Sequence, residues 1–213
     1  MKFFLISLKN YIKNLGIIDF LKTNKLLIFL SVLLLIGILF GTLFLDIVSL
    51  DTIKKLDFLF LNDFKERNSQ SNFSIFISSF SNYSVFIFLI IAMSLSFFGI
   101  ILIPALIFFK GASIGITIGY LYLIYGLKGI GYHALILLPG LFLSCMSYIL
   151  ISIYAINFSV IFSSVLFPKN NNLNLYEKLK KYLKKSGLIS LILVISSLVD
   201  VITIILFYKF FIF

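Results

Sequence analysis

One short stretch of the chain has the residue types of a serine hydrolase. Residues 111–115 read G-A-S-I-G, which matches the G-x-S-x-G pattern that presents a nucleophilic serine where a strand turns into a helix. The sequence also supplies its one histidine, His133, and an acid within an apolar run, Asp200. A triad of Ser113, His133 and Asp200 would indicate an intramembrane serine protease, provided that the serine and histidine came within about 3 Å of each other.

The same stretch also has the spacing of a helix-packing surface. Gly111, Gly115 and Gly119 recur at every fourth residue and share one helix face, and Gly37 and Gly41 form a second pair. Glycine lets two backbones approach closely in lipid, where apolar side chains gain nothing by leaving their solvent. We expect these glycines to pack helices within one chain, with packing between copies of a homo-oligomer as the alternative.

The packing interpretation fits the surroundings of this stretch better than the catalytic one. No strand precedes Gly111, and the residues after it form an apolar run. Ser113 would lie about 200° around the helix from Gly111, on the opposite side. We also predict Ser113 at the inner end of a membrane span and His133 near the outer end of another, too far apart for proton transfer. The protease therefore ranks third among the candidate functions.

The composition indicates a membrane protein. Of the 213 residues, 61% are hydrophobic and 12% are charged, whereas soluble domains have roughly 25% charged residues. The net charge of +10 comes from lysines at the ends of apolar runs, which argues against a nucleic-acid-binding face. The only cysteine, Cys145, permits no internal disulfide, and no group of metal ligands or cofactor motif stands out.

Apolar runs predict an all-α polytopic membrane protein with five transmembrane helices, forming a single membrane domain over residues 1–213. The first run, of twenty residues, is long enough to cross a hydrocarbon core of about 30 Å. The fourth contains Pro139-Gly140, which predicts either one kinked helix or a short piece, 130–138, leading into a full span. The predicted spans are residues 26–45, 85–109, 112–125, 130–167 and 188–208.

The distribution of lysine predicts the orientation of these spans. With the N-terminus inside, the inner segments and Lys110 contribute twelve basic residues, and the outer segments contribute six. Basic residues are retained on the cytoplasmic side of membranes. We therefore expect the N-terminus inside and the C-terminus outside.

Three segments are predicted to lie outside the bilayer. Residues 1–25 form a cytoplasmic amphipathic lead-in, and residues 168–187 form a basic cytoplasmic loop attracted to anionic lipid. Residues 46–84 form an extracytoplasmic loop with an apolar stripe at helical spacing, to be buried on the bundle or docked on a partner. The stripe includes Phe60, Phe64, Phe73, Phe76 and Phe80.

Asp200 is the most informative single charge, because it falls about midway along the last predicted span. A charged acid at the bilayer centre costs about 2.5–3.5 kcal/mol on insertion scales. It must therefore be neutral, paired or facing water, and Lys110, Lys128 and His133 are candidate partners. We expect a structural polar contact between helices, with a coupling or gating site as the alternative.

Taken in order along the chain, these features resemble the stage II sporulation protein M family of endospore-forming bacteria. The resemblance covers nearly the whole chain. Two departures are that Gly140-Leu141 stands where the family often has Gln-Asn, and that Asp200 stands where it usually has Glu. The matching residues are Leu35-Ile-Gly37-Ile-Leu-Phe-Gly41, Gly99, Pro104, Lys110-Gly111, Gly115, Gly119, Gly126-Leu-Lys128-Gly129, Leu138-Pro139 and Asp200.

The resemblance implies a non-enzymatic anchor in the bacterial cell membrane. Such proteins look like scaffolds that recruit a peptidoglycan amidase/endopeptidase and a lytic transglycosylase to the sporulation septum. The expected process is septal thinning and forespore engulfment, with the protein in the mother-cell membrane. A permease or channel-like subunit is the alternative, because of Asp200 and the predicted break at Pro139-Gly140.

Overall fold

A computed structural model describes residues 24–47, 71–166, 175–207 and 210 of the chain. These residues form helices joined by turns, with no strand among them. The α-helices are α1 (Lys25–Ile47), α2 (Asn72–Ser94), α3 (Gly99–Tyr125), α4 (Leu127–Tyr132), α5 (Leu138–Leu166) and α6 (Leu175–Phe207), with a π-helical turn, His133–Leu137, between α4 and α5.

Within the described residues, five helical segments are long and apolar enough to cross a membrane. They are α1, α2, α3, the continuous run from α4 to α5, and α6. The predicted all-α class with five spans is therefore confirmed. The predicted first span, 26–45, agrees with α1 to within two residues at its C-terminal end.

The surface of the bundle is apolar and its interior combines apolar with polar side chains, as expected of a protein dissolved in lipid. Large apolar side chains are exposed along every span, for example Leu39, Phe88 and Ile202. The buried positions include many serines, which are small enough to let helices approach and whose hydroxyls can bond backbone carbonyls. The buried serines are Ser79, Ser94, Ser144, Ser147, Ser152, Ser159, Ser186, Ser196 and Ser197.

The helices pack as two connected groups. α1 packs most extensively against α3, and α6 packs against α5 and α2. The contacts pair Leu34 with Gly111 and Ile38 with Gly115, so residue numbers increase together along both helices and α1 and α3 run parallel. A shared apolar core that includes Leu30, Ile90 and Tyr148 joins the two groups.

The predicted boundary between the second and third spans is wrong. We predicted spans at 85–109 and 112–125 with a break at Lys110-Gly111, but α3 runs without interruption through Lys110. The chain instead turns at residues 95–98, where the Ser96 hydroxyl accepts a 3.2 Å hydrogen bond from the Phe98 amide. This turn is almost entirely apolar, so composition does not reveal it.

Two predicted loops are shorter than expected. The predicted loop 46–84 gives way to α2 from Asn72, which is capped by Ser71 accepting a hydrogen bond from the Ser74 amide. Serines such as Ser78, which donates to the Ile75 carbonyl, made this half of the helix look polar. The predicted loop 168–187 and span 188–208 likewise give way to α6, which begins at Leu175.

The Pro139-Gly140 pair does not interrupt the fourth span. Helix continues from Leu127 to Leu166, close to the predicted 130–167, so residues 130–138 are not a separate piece. Proline lacks an amide donor, and the local adjustment is the π-helical turn just before it, where the Leu138 amide bonds the His133 carbonyl. The lead-in 1–25, apart from its last two residues, lies outside the described residues.

Candidate functional site

The five predicted packing glycines lie between α1 and α3. A Cβ atom at Gly37 would overlap the carbonyl oxygen of Phe108, and one at Gly115 would overlap that of Ile38. Gly41 faces Ala112 and Gly111 faces Leu34 in the same way, whereas a Cβ at Gly119 would lie 3.0 Å from a side-chain carbon of Leu45. The glycine stripe of α3 is thus covered by α1 of the same chain.

The contact surface between α1 and α3, which we call the seam, leaves no room for side chains at its glycines. Backbone carbonyls of one helix occupy the space that a side chain of the other would need. Close approach lets dispersion and weak Cα–H contacts stabilise the pair where lipid supplies no hydrophobic drive. Because the stripe is already occupied, it is not available to a second copy of the chain.

The three residues of the hypothetical catalytic triad lie in different environments. Ser113 is the fifteenth residue of the 27-residue α3, not at the end of a span as predicted. It is exposed on the lipid-facing side of α3, whereas His133 and Asp200 are buried. This difference in burial gives no support to a catalytic contact of Ser113 with the other two residues.

Asp200 lies at the centre of a hydrogen-bonded polar cluster. Its side chain, 2% exposed, accepts a 2.7 Å hydrogen bond from the Tyr83 hydroxyl. The Tyr148 hydroxyl in turn donates to the backbone carbonyl of Tyr83 at 3.2 Å. Three helices, α2, α5 and α6, are therefore tied together around one carboxylate.

The Pro139-Gly140 region and Asp200 were predicted as separate features, but they meet in the fold. A Cβ at Gly140 would overlap the Oδ1 atom of Asp200. The Ser196 hydroxyl donates to the Gly140 carbonyl at 2.6 Å, and the Thr203 hydroxyl donates to the Ile136 carbonyl at 2.9 Å. Side chains of α6 thus satisfy carbonyls around the proline, which is how membrane helices tolerate such sites.

Lys110 is a buried charge that sequence reasoning placed at a helix end. It is 5% exposed, and its Nζ atom lies 4.4 Å from the ring centroid of Phe86 and 5.6 Å from that of Tyr148. Aromatic faces attract a cation most strongly where water is excluded. Tyr148 therefore contacts both the lysine and, through Tyr83, the cluster around Asp200.

Of the three predicted partners of Asp200, Lys110 reaches this polar region through the ring of Tyr148, whose hydroxyl bonds the Tyr83 carbonyl. Lys128 is exposed on α4, and His133 is buried in the π-helical turn. The hydrogen-bond partner that the sequence did not suggest is Tyr83. A signal was available, because Tyr83 lies among serines on a buried face of α2, but no charge marks it.

Three of the five predicted partner-docking residues belong to the part of the chain that the structure describes. Phe73, Phe76 and Phe80 lie on α2, where Phe73 is 72% exposed and the rings of Phe76 and Phe80 stack with centroids 6.1 Å apart. Phe60 and Phe64 lie outside the described residues. Within those residues, no group of three or more metal-ligating side chains occurs.

Comparison with known proteins identifies the family. The model of the family described as stage II sporulation protein M matches residues 29–206. No curated protein and no solved structure matches the chain. The match extends from α1 to the end of α6 and so includes both the glycine seam and the Asp200 cluster. The chain therefore belongs to the stage II sporulation protein M family.

Proposed function

We propose that this chain is a non-enzymatic membrane scaffold for hydrolysis of the sporulation septum. It would recruit a peptidoglycan amidase/endopeptidase and a lytic transglycosylase, and hold both at the mother-cell membrane while the septal wall is thinned and the forespore is engulfed. The observation that carries this proposal is the family match over residues 29–206. The mechanism would be confinement, which raises the local concentration of two enzymes without new chemistry.

The bundle has the character of a rigid platform. The buried hydroxyls of Ser159, Ser196 and Thr203 bond backbone carbonyls of other helices or turns. Along the α1–α3 seam the two backbones are in close contact, because a Cβ at Gly37 or Gly115 would overlap a carbonyl oxygen of the facing helix. Such internal use of polar groups suits an anchor, whose partners need a fixed position in the membrane.

We place the partner-binding surface at the end of the bundle that faces the wall. In the proposed orientation, with the N-terminus inside, the segment between α1 and α2 is extracytoplasmic. Phe60 and Phe64 belong to this segment, and Phe73 stands at the start of α2 with 72% of its side chain exposed. Aromatic side chains are common anchors of protein interfaces.

The proposal is tested by co-purification from sporulating cells. A tagged chain, extracted in mild detergent after cross-linking, is expected to enrich both classes of hydrolase over a tagged, unrelated multi-pass protein. Replacing Phe60, Phe64 and Phe73 with alanine should remove this enrichment. The matched control is Phe88→Ala, because Phe88 is 71% exposed but lies deep in α2. Recovery of neither hydrolase with the intact chain would contradict the scaffold.

A permease or channel-like subunit is the second candidate, and the buried Lys110 and Asp200 favour it. Charged side chains inside membrane bundles commonly mark ion or proton pathways. The purified chain in liposomes, with a pH-sensitive dye inside and an imposed membrane potential, separates the two functions. Proton flux above that of empty liposomes, lost in Asp200→Asn, would support the permease, whereas the scaffold predicts none.

A further inference from the structure

The helix α6 is longer than a membrane requires. Its 33 residues extend about 50 Å at 1.5 Å per residue, and a hydrocarbon core is about 30 Å thick. From Ser186 to Phe207 the only charged residue is Asp200. The preceding stretch, Leu175–Lys185, contains Glu177 and five lysines: Lys178, Lys180, Lys181, Lys184 and Lys185. The helix therefore leaves the hydrocarbon at about Lys185 and continues into the headgroup region.

This basic stretch is held firmly against the bundle. Tyr182 is 5% exposed, and its ring stacks on that of Phe158 with centroids 4.9 Å apart and planes 8° apart. The Nζ atom of Lys185 lies 4.7 Å from the ring centroid of Tyr154. Leu179 packs against the same core. These contacts fix which side of the helix faces α5, and hence which side faces away from it.

The side facing away is basic, with apolar side chains beside it. Lys180, Lys181 and Lys184 are exposed, and we call these three residues the lysine face. Tyr176 and Leu188, 76% and 60% exposed, lie at the two ends of the stretch. Of the acidic residues whose side chains the structure describes, Glu177 lies on this stretch and Asp200 is buried in the bundle. Glu177, exposed and three and four residues before Lys180 and Lys181, offsets part of the charge of the lysine face, and the remainder has no acidic neighbour among the side chains that the structure describes.

We propose that the lysine face binds the headgroups of anionic phospholipids in the membrane that holds the chain. Its position decides the occupant, because the three ammonium groups lie immediately beyond the apolar part of α6, at the depth of lipid phosphates. Each lysine at a membrane surface attracts anionic lipid by about 1 kcal/mol, roughly a fivefold preference. Lysine stems can also lie along apolar surface while their charged ends reach the headgroups.

The absence of tryptophan from the chain allows a local measurement of lipid contact. Leu183, 46% exposed, lies beside the lysine face, and Leu183→Trp places one fluorophore there. The full chain is reconstituted in vesicles that contain brominated phosphatidylglycerol or brominated phosphatidylcholine, each of which quenches tryptophan on contact. We expect the association constant for the anionic lipid to exceed that for the zwitterionic lipid by about fivefold or more, with a smaller ratio at 1 M salt.

A reporter at the same end of the bundle, away from the lysines, is the matched control. The Ser159 hydroxyl donates to the Ser96 carbonyl in the α2–α3 turn. Ser159 directly follows Phe158, whose ring stacks on Tyr182 of the basic stretch. The α2–α3 turn therefore lies at the same membrane surface as the lysine face. Ile101, just after that turn, is 72% exposed. A tryptophan introduced by Ile101→Trp is expected to be quenched nearly equally by the two lipids.

Three neutral substitutions complete the test. Lys180→Gln, Lys181→Gln and Lys184→Gln together should bring the ratio at Leu183→Trp close to one. These side chains are exposed, so the unfolding curve in detergent should not change, and this measurement verifies folding. An equal response to both lipids in the chain with intact lysines would overturn the proposal, as would an unchanged preference in the triple variant. A failure to recover wall hydrolases would leave this result unaffected.

Discussion

The hydroxyl of Tyr83 on α2 donates a 2.7 Å hydrogen bond to the carboxylate of Asp200 on α6, 117 residues away in sequence. In the apolar interior, a hydrogen bond to a carboxylate is stronger than one between neutral groups. It also relieves the cost of burying the acid. Asp200 thus makes a polar contact between α2 and α6, and the structural role that the sequence favoured for it stays a prediction.

Removing the Tyr83 hydroxyl should therefore destabilise the bundle. We expect Tyr83→Phe to lower the free energy of unfolding by about 1–2 kcal/mol, because the hydrogen bond from Tyr83 to the carboxylate is lost while the ring is kept. Unfolding in mixed micelles of mild and denaturing detergent measures the change. Tyr176→Phe is the control, since Tyr176 is 76% exposed and should change stability by less than about 0.5 kcal/mol. Equal effects of the two variants would contradict the prediction.

Gly140 is expected to be coupled to Asp200. Gly140→Ala should cost about 2–3 kcal/mol of stability, because the added methyl group would overlap the carboxylate and approach the Ser196 carbonyl. In the background of Asp200→Ala, which removes the carboxylate, the same change should cost at least ~1 kcal/mol less. A double-mutant cycle on unfolding free energies measures the coupling, and additive effects would show that the two residues do not press on each other.

Replacing Lys110 should not lower the free energy of unfolding, whereas replacing the neighbouring Phe86 should lower it. Burying an ammonium is costly, so Lys110→Met, which keeps an unbranched chain, is expected to leave stability unchanged or to raise it. Phe86→Leu removes the ring 4.4 Å from the Lys110 Nζ atom and should cost about 1–2 kcal/mol beyond the loss of apolar area.

The cycle of Lys110→Met and Phe86→Leu measures this pair directly. With methionine at position 110, Phe86→Leu should cost at least ~1 kcal/mol less than in the unchanged chain. If the cost of Phe86→Leu is the same in both backgrounds, the ring stabilises the fold by packing alone.

The sequence could predict the features that are local and periodic. Apolar runs indicated that there are five spans, although not where the second ends and the third begins, and glycines at every fourth residue indicated the seam that α1 and α3 form. The helical class follows from the cost of unpaired backbone groups in lipid, and the number of spans follows from the number of apolar segments that must be helical there.

Features that depend on neighbours distant in sequence could not be predicted. Lysine followed by glycine usually ends a span, but Phe86 and Tyr148 from two other helices surround Lys110 and let α3 continue. The turn at residues 95–98 contains mostly apolar side chains, so it resembles the interior of a helix. Likewise, Tyr83 becomes the partner of Asp200 only because α2 and α6 pack together.

A glycine inside the seam and a glycine outside it should respond to alanine in opposite ways. Gly115→Ala should lower stability by about 2–3 kcal/mol, because its Cβ would overlap the Ile38 carbonyl, and Gly115→Leu should prevent correct packing. A Cβ at Gly187 on α6 would meet no atom within 4 Å. Gly187→Ala is therefore expected to raise stability by up to about 1 kcal/mol through helix propensity. Similar losses at both sites in the same unfolding assay would contradict the role of the seam.

The orientation of the bundle is predicted from charge and can be measured by cysteine labelling. With α3 passing through Lys110, eleven basic residues lie on the side of the N-terminus and six on the other, so the positive-inside rule still places the N-terminus in the cytoplasm. After Cys145→Ala removes the only native cysteine, Lys128→Cys should react with a membrane-impermeant maleimide in intact protoplasts. Lys25→Cys and Lys181→Cys should react only after permeabilisation, because α1 runs parallel to α3 and α6 begins at the same end as α3. Labelling of Lys181→Cys in intact protoplasts would invert the orientation and place the lysine face at the outer leaflet.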